Sequence, residues 1–143
     1  MKDNSMYQKL LIKEFDYWKI YLHENQFYLG RCYLWANRED ALDFFDMTNE
    51  EMREYMGVGN SLRKVLRDVF NPDLLNYATL ANEARHLHTH IIPRYESPRE
   101  FEGITFTDGN FGRNFAPYNR GFKIPEDVII KIREAIKSGF ENQ

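Results

Sequence analysis

Apolar and polar positions follow two rhythms along the chain. Over residues 1–15, Met6, Leu10, Leu11 and Phe15 fall near helical spacing and predict a short amphipathic helix. Tyr17–Tyr21 and Arg31–Trp35 are rich in strand-forming side chains and predict two strands, joined through Glu24-Asn25-Gln26 and Gly30. Thr48 followed by Glu51 forms a capping box, each side chain positioned to bond the other's backbone N–H, so a helix begins there. Met52, Tyr55, Met56, Leu62, Val65, Leu66 and Val69 make its apolar stripe as far as Phe70 and are expected to be core. Asn71-Pro72-Asp73 stops it. Leu74–Leu80 and Arg85–Ile92 predict two further strands, the second ended by Pro93. A closing helix is expected over Ile124–Ser138, with Pro125 in its first turn, Glu126 and Asp127 at its positive end and Gly139 after it. Between them Gly103–Phe122 is aromatic and glycine-bearing, without a period. Paired strands and separate helices imply an α+β fold with a mainly antiparallel sheet, a central helix and a C-terminal helix.

Composition narrows the class. A chain of 143 residues has the length of one domain, and 43% apolar with 15% aromatic residues excludes a disordered or low-complexity chain. Cys32 is the single cysteine, which excludes an internal disulfide and fits a reducing compartment. No apolar run reaches membrane-spanning length, and residues 1–15 lack the apolar core of a signal peptide, so a cytoplasmic location is expected. Nineteen basic and 22 acidic residues give a net charge of −3 without a block of like charge. Neither a nucleic acid nor a membrane is therefore an expected partner, while a local phosphate pocket remains open.

Histidine carries the chemical signal. Of four histidines, His86, His88 and His90 stand at i, i+2 and i+4; random placement yields such a trio in roughly one shuffle in a thousand. On a strand the three share one face, with Leu87, Thr89 and Ile91 on the other. Three polar residues on a solvated strand face are the structural alternative. Zinc ligation is a second, but same-face neighbours are roughly 6.7 Å apart, so the outer two lie roughly 13 Å apart at Cα. Closing all three on one ion with bonds of roughly 2 Å demands awkward side-chain angles, and no further Cys or His motif completes the set. The third alternative is nucleophilic catalysis at phosphorus. A neutral imidazole offers a lone pair near pH 7, and a backbone carbonyl on one ring nitrogen would aim the other at the substrate. His88, flanked by His86 and His90, is then the nucleophile.

His86-Leu87-His88-Thr89-His90-Ile91-Ile92 resembles the signature of the histidine triad family, His–apolar–His–apolar–His–apolar–apolar, with Thr89 only partly apolar. Pro93-Arg94 is similar to the branch containing diadenosine polyphosphate hydrolases and fragile histidine triad proteins. The resemblance extends to Leu75-Asn76-Tyr77, Leu29-Gly30-Arg31-Cys32 and the long helix. It implies one domain over 1–143, with a core at roughly 17–95 and a C-terminal extension at 96–143.

Such proteins typically dimerise and hydrolyse or transfer nucleoside monophosphate groups without a required cofactor or metal. The resemblance makes His88 the nucleophile, with His86 and His90 as its phosphate-side neighbours. It makes Asn76 a phosphate contact and Asn25 a ribose contact; a satisfied strand-end amide and a turn asparagine are the structural alternatives. Family members often carry Gly-Gln-Ser or Gly-Gln-Thr before the triad, where the hydroxyl assists the leaving group. Here Ala81-Asn82-Glu83 stands instead: Asn82 can donate through its amide, whereas ionised Glu83 only accepts and would repel phosphate if it faced inward. Many members have a fourth histidine after the second strand, in the region of Arg38-Glu39-Asp40. The function implied is a nucleotide hydrolase or nucleotidyl transferase acting on a phosphoanhydride, phosphoramidate or related ester. A nucleotide-binding regulatory protein with little turnover and a metal-binding protein are the alternatives.

Overall fold

The computed structural model describes residues 4–143, with side chains from Tyr7 onward. Residues 1–3 and the Met6 side chain of the expected first helix lie outside the described residues. That helix is shorter than its periodicity implies. α1 (Asn4–Leu10) gives way to β1 (Leu11–Glu14), which pairs antiparallel with β2 (Trp18–Leu22). Pairing with a partner strand overrides the local helical spacing there, and it buries Ile12.

β3 (Cys32–Ala36) follows, then a 3₁₀ turn at Phe44–Asp46 and α2 (Asn49–Phe70). The remaining elements are β4 (Leu74–Ala78), β5 (His88–Arg94), the short hairpin of β6 (Arg99–Phe101) and β7 (Ile104–Phe106), and α3 (Glu126–Glu141). The main sheet has the order β1-β2-β3-β5-β4, and every neighbouring pair is antiparallel. β5 starts three residues later than its composition predicts and runs through Pro93. Pairing with β3 stops at Ile91, so Pro93 lies where β5 is bonded only by β4 and a missing N–H is tolerated.

One face of the sheet makes the core. Trp18, Ile20 and Leu22 of β2 and Cys32, Leu34 and Ala36 of β3 are buried on it, at every second position. α3 adds Val128, Ile132, Ile136 and Phe140, spaced four apart. The capping box of α2 is present: Glu51 N–H donates to Thr48 Oγ1 at 3.1 Å and Thr48 N–H to Glu51 Oε1 at 2.9 Å. Its buried stripe differs from the expected one. Val58, Leu62, Val65, Leu66 and Phe70 are buried, Tyr55 and Val69 are half-buried, and Met52 and Met56 are 51% and 66% exposed. Tyr55 packs on Trp18, whereas Met56 faces an apolar groove of about 550 Å³ between α2 and the sheet, which Tyr77 and Ile91 also line.

α3 also runs past its expected end, through Gly139. A Cβ there would lie 2.6 Å from Val65 Cγ1, so this glycine lets the two helices approach closely rather than terminating one.

Candidate active site

The opposite face of the sheet carries the histidines. Strand pairing sets His88 against Trp35 and His90 against Tyr33, and Tyr33 pairs in turn with Tyr21. Thr89 points to the core side, 1% exposed, and its hydroxyl shares hydrogen bonds with Tyr55 (2.8 Å) and Thr79 (2.7 Å). The one partly polar position of the motif is thus satisfied from behind, which fixes β5 in register under the site.

His86 precedes the strand. Its ring lies on the Trp35 indole, with centroids 4.2 Å apart and planes 22° apart, and its Nε2–H donates to the Ala36 carbonyl at 2.7 Å. Its own carbonyl accepts from His88 Nδ1–H at 2.6 Å. A carbonyl only accepts, so the proton of neutral His88 sits on Nδ1 and Nε2 keeps its lone pair. His88 is 6% exposed and lines a cavity of about 630 Å³. His86 does not line that cavity; it holds His88 through its main chain and anchors itself to β3. Of the trio, His88 and His90 converge on the cavity, their ring centroids 4.9 Å apart.

His23, which no strand-face pattern singles out, joins them: its ring is 5.6 Å from that of His90, and its Nδ1 accepts from the Asn25 N–H at 3.0 Å. Arg31 completes this wall. It is 3% exposed, and its Nη2 donates to His90 Nδ1 at 3.3 Å. Burial foremost, then Arg31 and His88, push the pKa of His90 down to about 3. Burial also holds the Arg31 guanidinium below its ordinary value, against the Tyr118 and Tyr28 hydroxyls, which favour its charge.

The C-terminal segment forms the facing wall. Buried Arg94 clasps buried Asp108 through Nε (2.7 Å) and Nη2 (3.2 Å), and its Nη1 donates to the Arg113 carbonyl (2.9 Å). Tyr28 O–H donates to the Phe115 carbonyl at 2.6 Å, and Asn110 Nδ2 to the Pro117 carbonyl at 2.9 Å. Phe115, Tyr118 and Arg120 are thereby set over the histidines. Within 103–122, which has no period in the sequence, β7 is the regular element, and residues 107–122 are ordered by this polar network.

The other expected site residues divide. Asn25 and Asn82 line the cavity. The Asn25 amide is committed: Nδ2 donates to the Asn119 and Arg120 carbonyls, both at 3.2 Å, and Oδ1 accepts from Phe27 N–H, so it ties the C-terminal wall down. Asn76 lies on the histidine face of β4 outside the cavity, its Oδ1 accepting from Arg94 Nη1 at 2.8 Å. Glu83 stands at the rim in an irregular stretch, 78% exposed at its side chain, and both its oxygens accept from Arg120 Nη2 at 3.0 and 3.1 Å. Arg38, in the region where a fourth histidine is expected, bonds Glu51 and Asp40 near the start of α2 and stays off the cavity; Arg31 and His23 take the place beside the triad. No group of three or more His, Cys, Asp and Glu among the described residues is placed to hold a metal ion.

With this geometry in hand, comparison with known proteins decides the family. Residues 6–97 match the HIT domain. The chain belongs to the histidine triad family. At the family level this supports nucleotide binding with hydrolase or transferase chemistry. The fold of this HIT protein is similar to that of a histidine triad protein from Sinorhizobium meliloti, at 18% identity over 97% of this chain and 96% of that one, with a TM-score of 0.77. A histidine triad protein from Bradyrhizobium japonicum is also 18% identical, covering 96% of both chains with a TM-score of 0.74. Plasmodium falciparum diadenosine triphosphate hydrolase, solved with cyclomarin A, has a TM-score of 0.65 at 16% identity, over 95% of this chain and 79% of that one. At these identities the likeness is one of fold. No curated protein matches the chain. No helix among the described residues is long and apolar enough to cross a membrane.

Proposed function

We propose that this HIT protein cleaves a nucleoside phosphoanhydride, phosphoramidate or related ester through a covalent nucleotidyl intermediate on His88. The observation that carries this reading is the 2.6 Å bond from His88 Nδ1–H to the His86 carbonyl, which leaves Nε2 as the lone-pair nitrogen of a residue lining the cavity. Nε2 attacks phosphorus; a P–N bond forms as the bond to the leaving group breaks, and the electron pair departs with that group, as the anion for a phosphate or with a proton taken up from solvent for an amine or alcohol. Water then forms a P–O bond, the P–N bond breaks, its pair returns to Nε2, and the water proton passes to solvent. His90 supplies a donor from Nε2–H, since its Nδ1 accepts from Arg31. The aromatic walls, Tyr33, Trp35, Phe115 and Tyr118, suit a nucleobase. The scheme requires no cofactor or metal.

Diadenosine triphosphate, the substrate in the name of the Plasmodium relative, and adenosine phosphoramidate are the first compounds to test. Wild type releases AMP from at least one of them. His88→Ala loses turnover by at least about a thousandfold while nucleotide affinity stays within about threefold. Turnover by the variant near the wild-type rate would remove His88 from the role. The same reading includes a homodimer and a reducing compartment such as the cytoplasm, where buried Cys32 stays a thiol.

A further inference from the structure

Arg31 is buried without a counter-anion. Its Nη2 reaches His90, but Nε and Nη1 are buried and make no hydrogen bond, and no described carboxylate forms an ion pair with it. A guanidinium taken out of water is costly unless an anion compensates it, and a native fold rarely leaves two of its donors unserved. The side chain is held, not adrift. Gly30, at φ +87°, turns the chain into it, and a Cβ there would meet the Phe70 ring at 2.9 Å. The Arg31 N–H donates to the Tyr28 carbonyl at 3.0 Å, and its own carbonyl accepts from His23 N–H at 2.9 Å. The Phe115 and Tyr118 rings lie 5.5 and 5.0 Å from the guanidinium carbon, fixing its place.

Its link to His90 assigns charge within the cavity. A guanidinium has no acceptor, so His90 Nδ1 must accept, and its one proton lies on Nε2. His90 is then a neutral donor, and the permanent positive charge beside the triad belongs to Arg31. Arg31 also stands on the far side of His90 from Trp35 and His88: along β3 the same-face order is Arg31, Tyr33, Trp35, and Trp35 pairs with His88. It is therefore placed beyond the phosphorus that His88 would attack.

We propose that Arg31 is a specificity residue of this site, binding a second ionised phosphate next to the attacked one and so selecting phosphoanhydrides over substrates with a single phosphate. The planar fork of donors matches phosphate oxygens, and Nη2 meets an entering anion at the His90 edge. Tyr118, whose hydroxyl favours the Arg31 charge, is half-buried in the cavity wall beside the guanidinium.

This inference rests on the cavity being the nucleotide site proposed above, but its test does not need turnover. AMP and ADP are titrated calorimetrically into wild type, Arg31→Gln and Arg31→Lys, each checked for a cooperative melt. Wild type binds ADP at least about tenfold more tightly than AMP, Arg31→Gln brings the two within about twofold, and Arg31→Lys lies between. A wild type without preference for ADP overturns the proposal, whatever the variants do. So does an Arg31→Gln protein that keeps the preference. If Arg31→Gln does not fold, the wild-type comparison and Arg31→Lys decide alone: an undiminished preference in the lysine variant contradicts recognition by the planar fork. Should the ADP preference depend on Arg31 while His88→Ala still turns over, the nucleophile is reassigned and the role of Arg31 stands.

Discussion

His90 sits against a permanent cation, and burial first, then that neighbour, disfavours its second proton. In the folded protein burial, Arg31 and His88 hold its pKa down to about 3, whereas in the unfolded chain it titrates near 6.5. Below about pH 6.5 the unfolded chain therefore binds a proton that the folded one does not, and stability falls as pH drops from about 6.5 towards 3. One such proton contributes a slope of up to about 1.4 kcal/mol per pH unit. Denaturant unfolding across that range is expected to show a shallower slope for His90→Gln than for wild type; equal slopes would mean that His90 titrates normally in the fold. Only part of this local chemistry is legible in the sequence. The spacing of His86, His88 and His90 identifies the strand face, and the motif contains both residues of the His88–His86 bond. Arg31 reads merely as the polar start of a strand, because its contact with His90 is made by β3 pairing with β5, whose residues lie 59 positions apart in the chain.

At the scale of elements, local signals succeed where the element is decided locally. The capping box of α2, its stop at Asn71 and the acidic first turn of α3 at Glu126 and Asp127 are all visible in the sequence and present in the fold. They fail where a partner decides. Leu11–Glu14 has helical spacing but becomes an outer strand, and Met52 and Met56 keep the phase of a core stripe yet are exposed, Met56 on an open groove. Gly139 misleads in the other direction, since a glycine near a helix end reads as a stop while here it admits Val65. Gly139→Ala gains about 1 kcal/mol of helix propensity but forces a methyl into a stiff β-branched neighbour, an overpacking cost of about 1–3 kcal/mol. A net loss of up to about 2 kcal/mol is expected by denaturant titration, and Val65→Ala in the same chain should recover part of it. A stabilised Gly139→Ala protein would contradict the close approach of α2 and α3.

For the whole molecule, the open features fall together. β4 is the outer strand beside the apolar groove, and Tyr77 on it is 54% exposed, near the exposed Met56 of α2. An unpaired strand edge next to an uncovered apolar groove suits a second copy of the chain. Sedimentation at micromolar concentration is expected to give twice the mass of the 17.2 kDa chain. Met56→Glu and Tyr77→Glu should shift it towards the monomer, and a wild type sedimenting only as the monomer would contradict the assembly. The histidine cavity opens on the other face of the sheet, so the assembly leaves it accessible. The chemistry proposed for that cavity turns on one bond, between His88 Nε2 and the phosphorus of a nucleotide. The most direct measurement is rapid quenching, in alkali that preserves a phosphoramidate bond, of wild-type protein mixed with diadenosine triphosphate or adenosine phosphoramidate, followed by peptide mass spectrometry. An AMP adduct is expected on the peptide containing His88, assigned to that residue by fragmentation and absent from His88→Ala. Turnover with no adduct at any quench time, or an adduct on His86, His90 or His23, would contradict it.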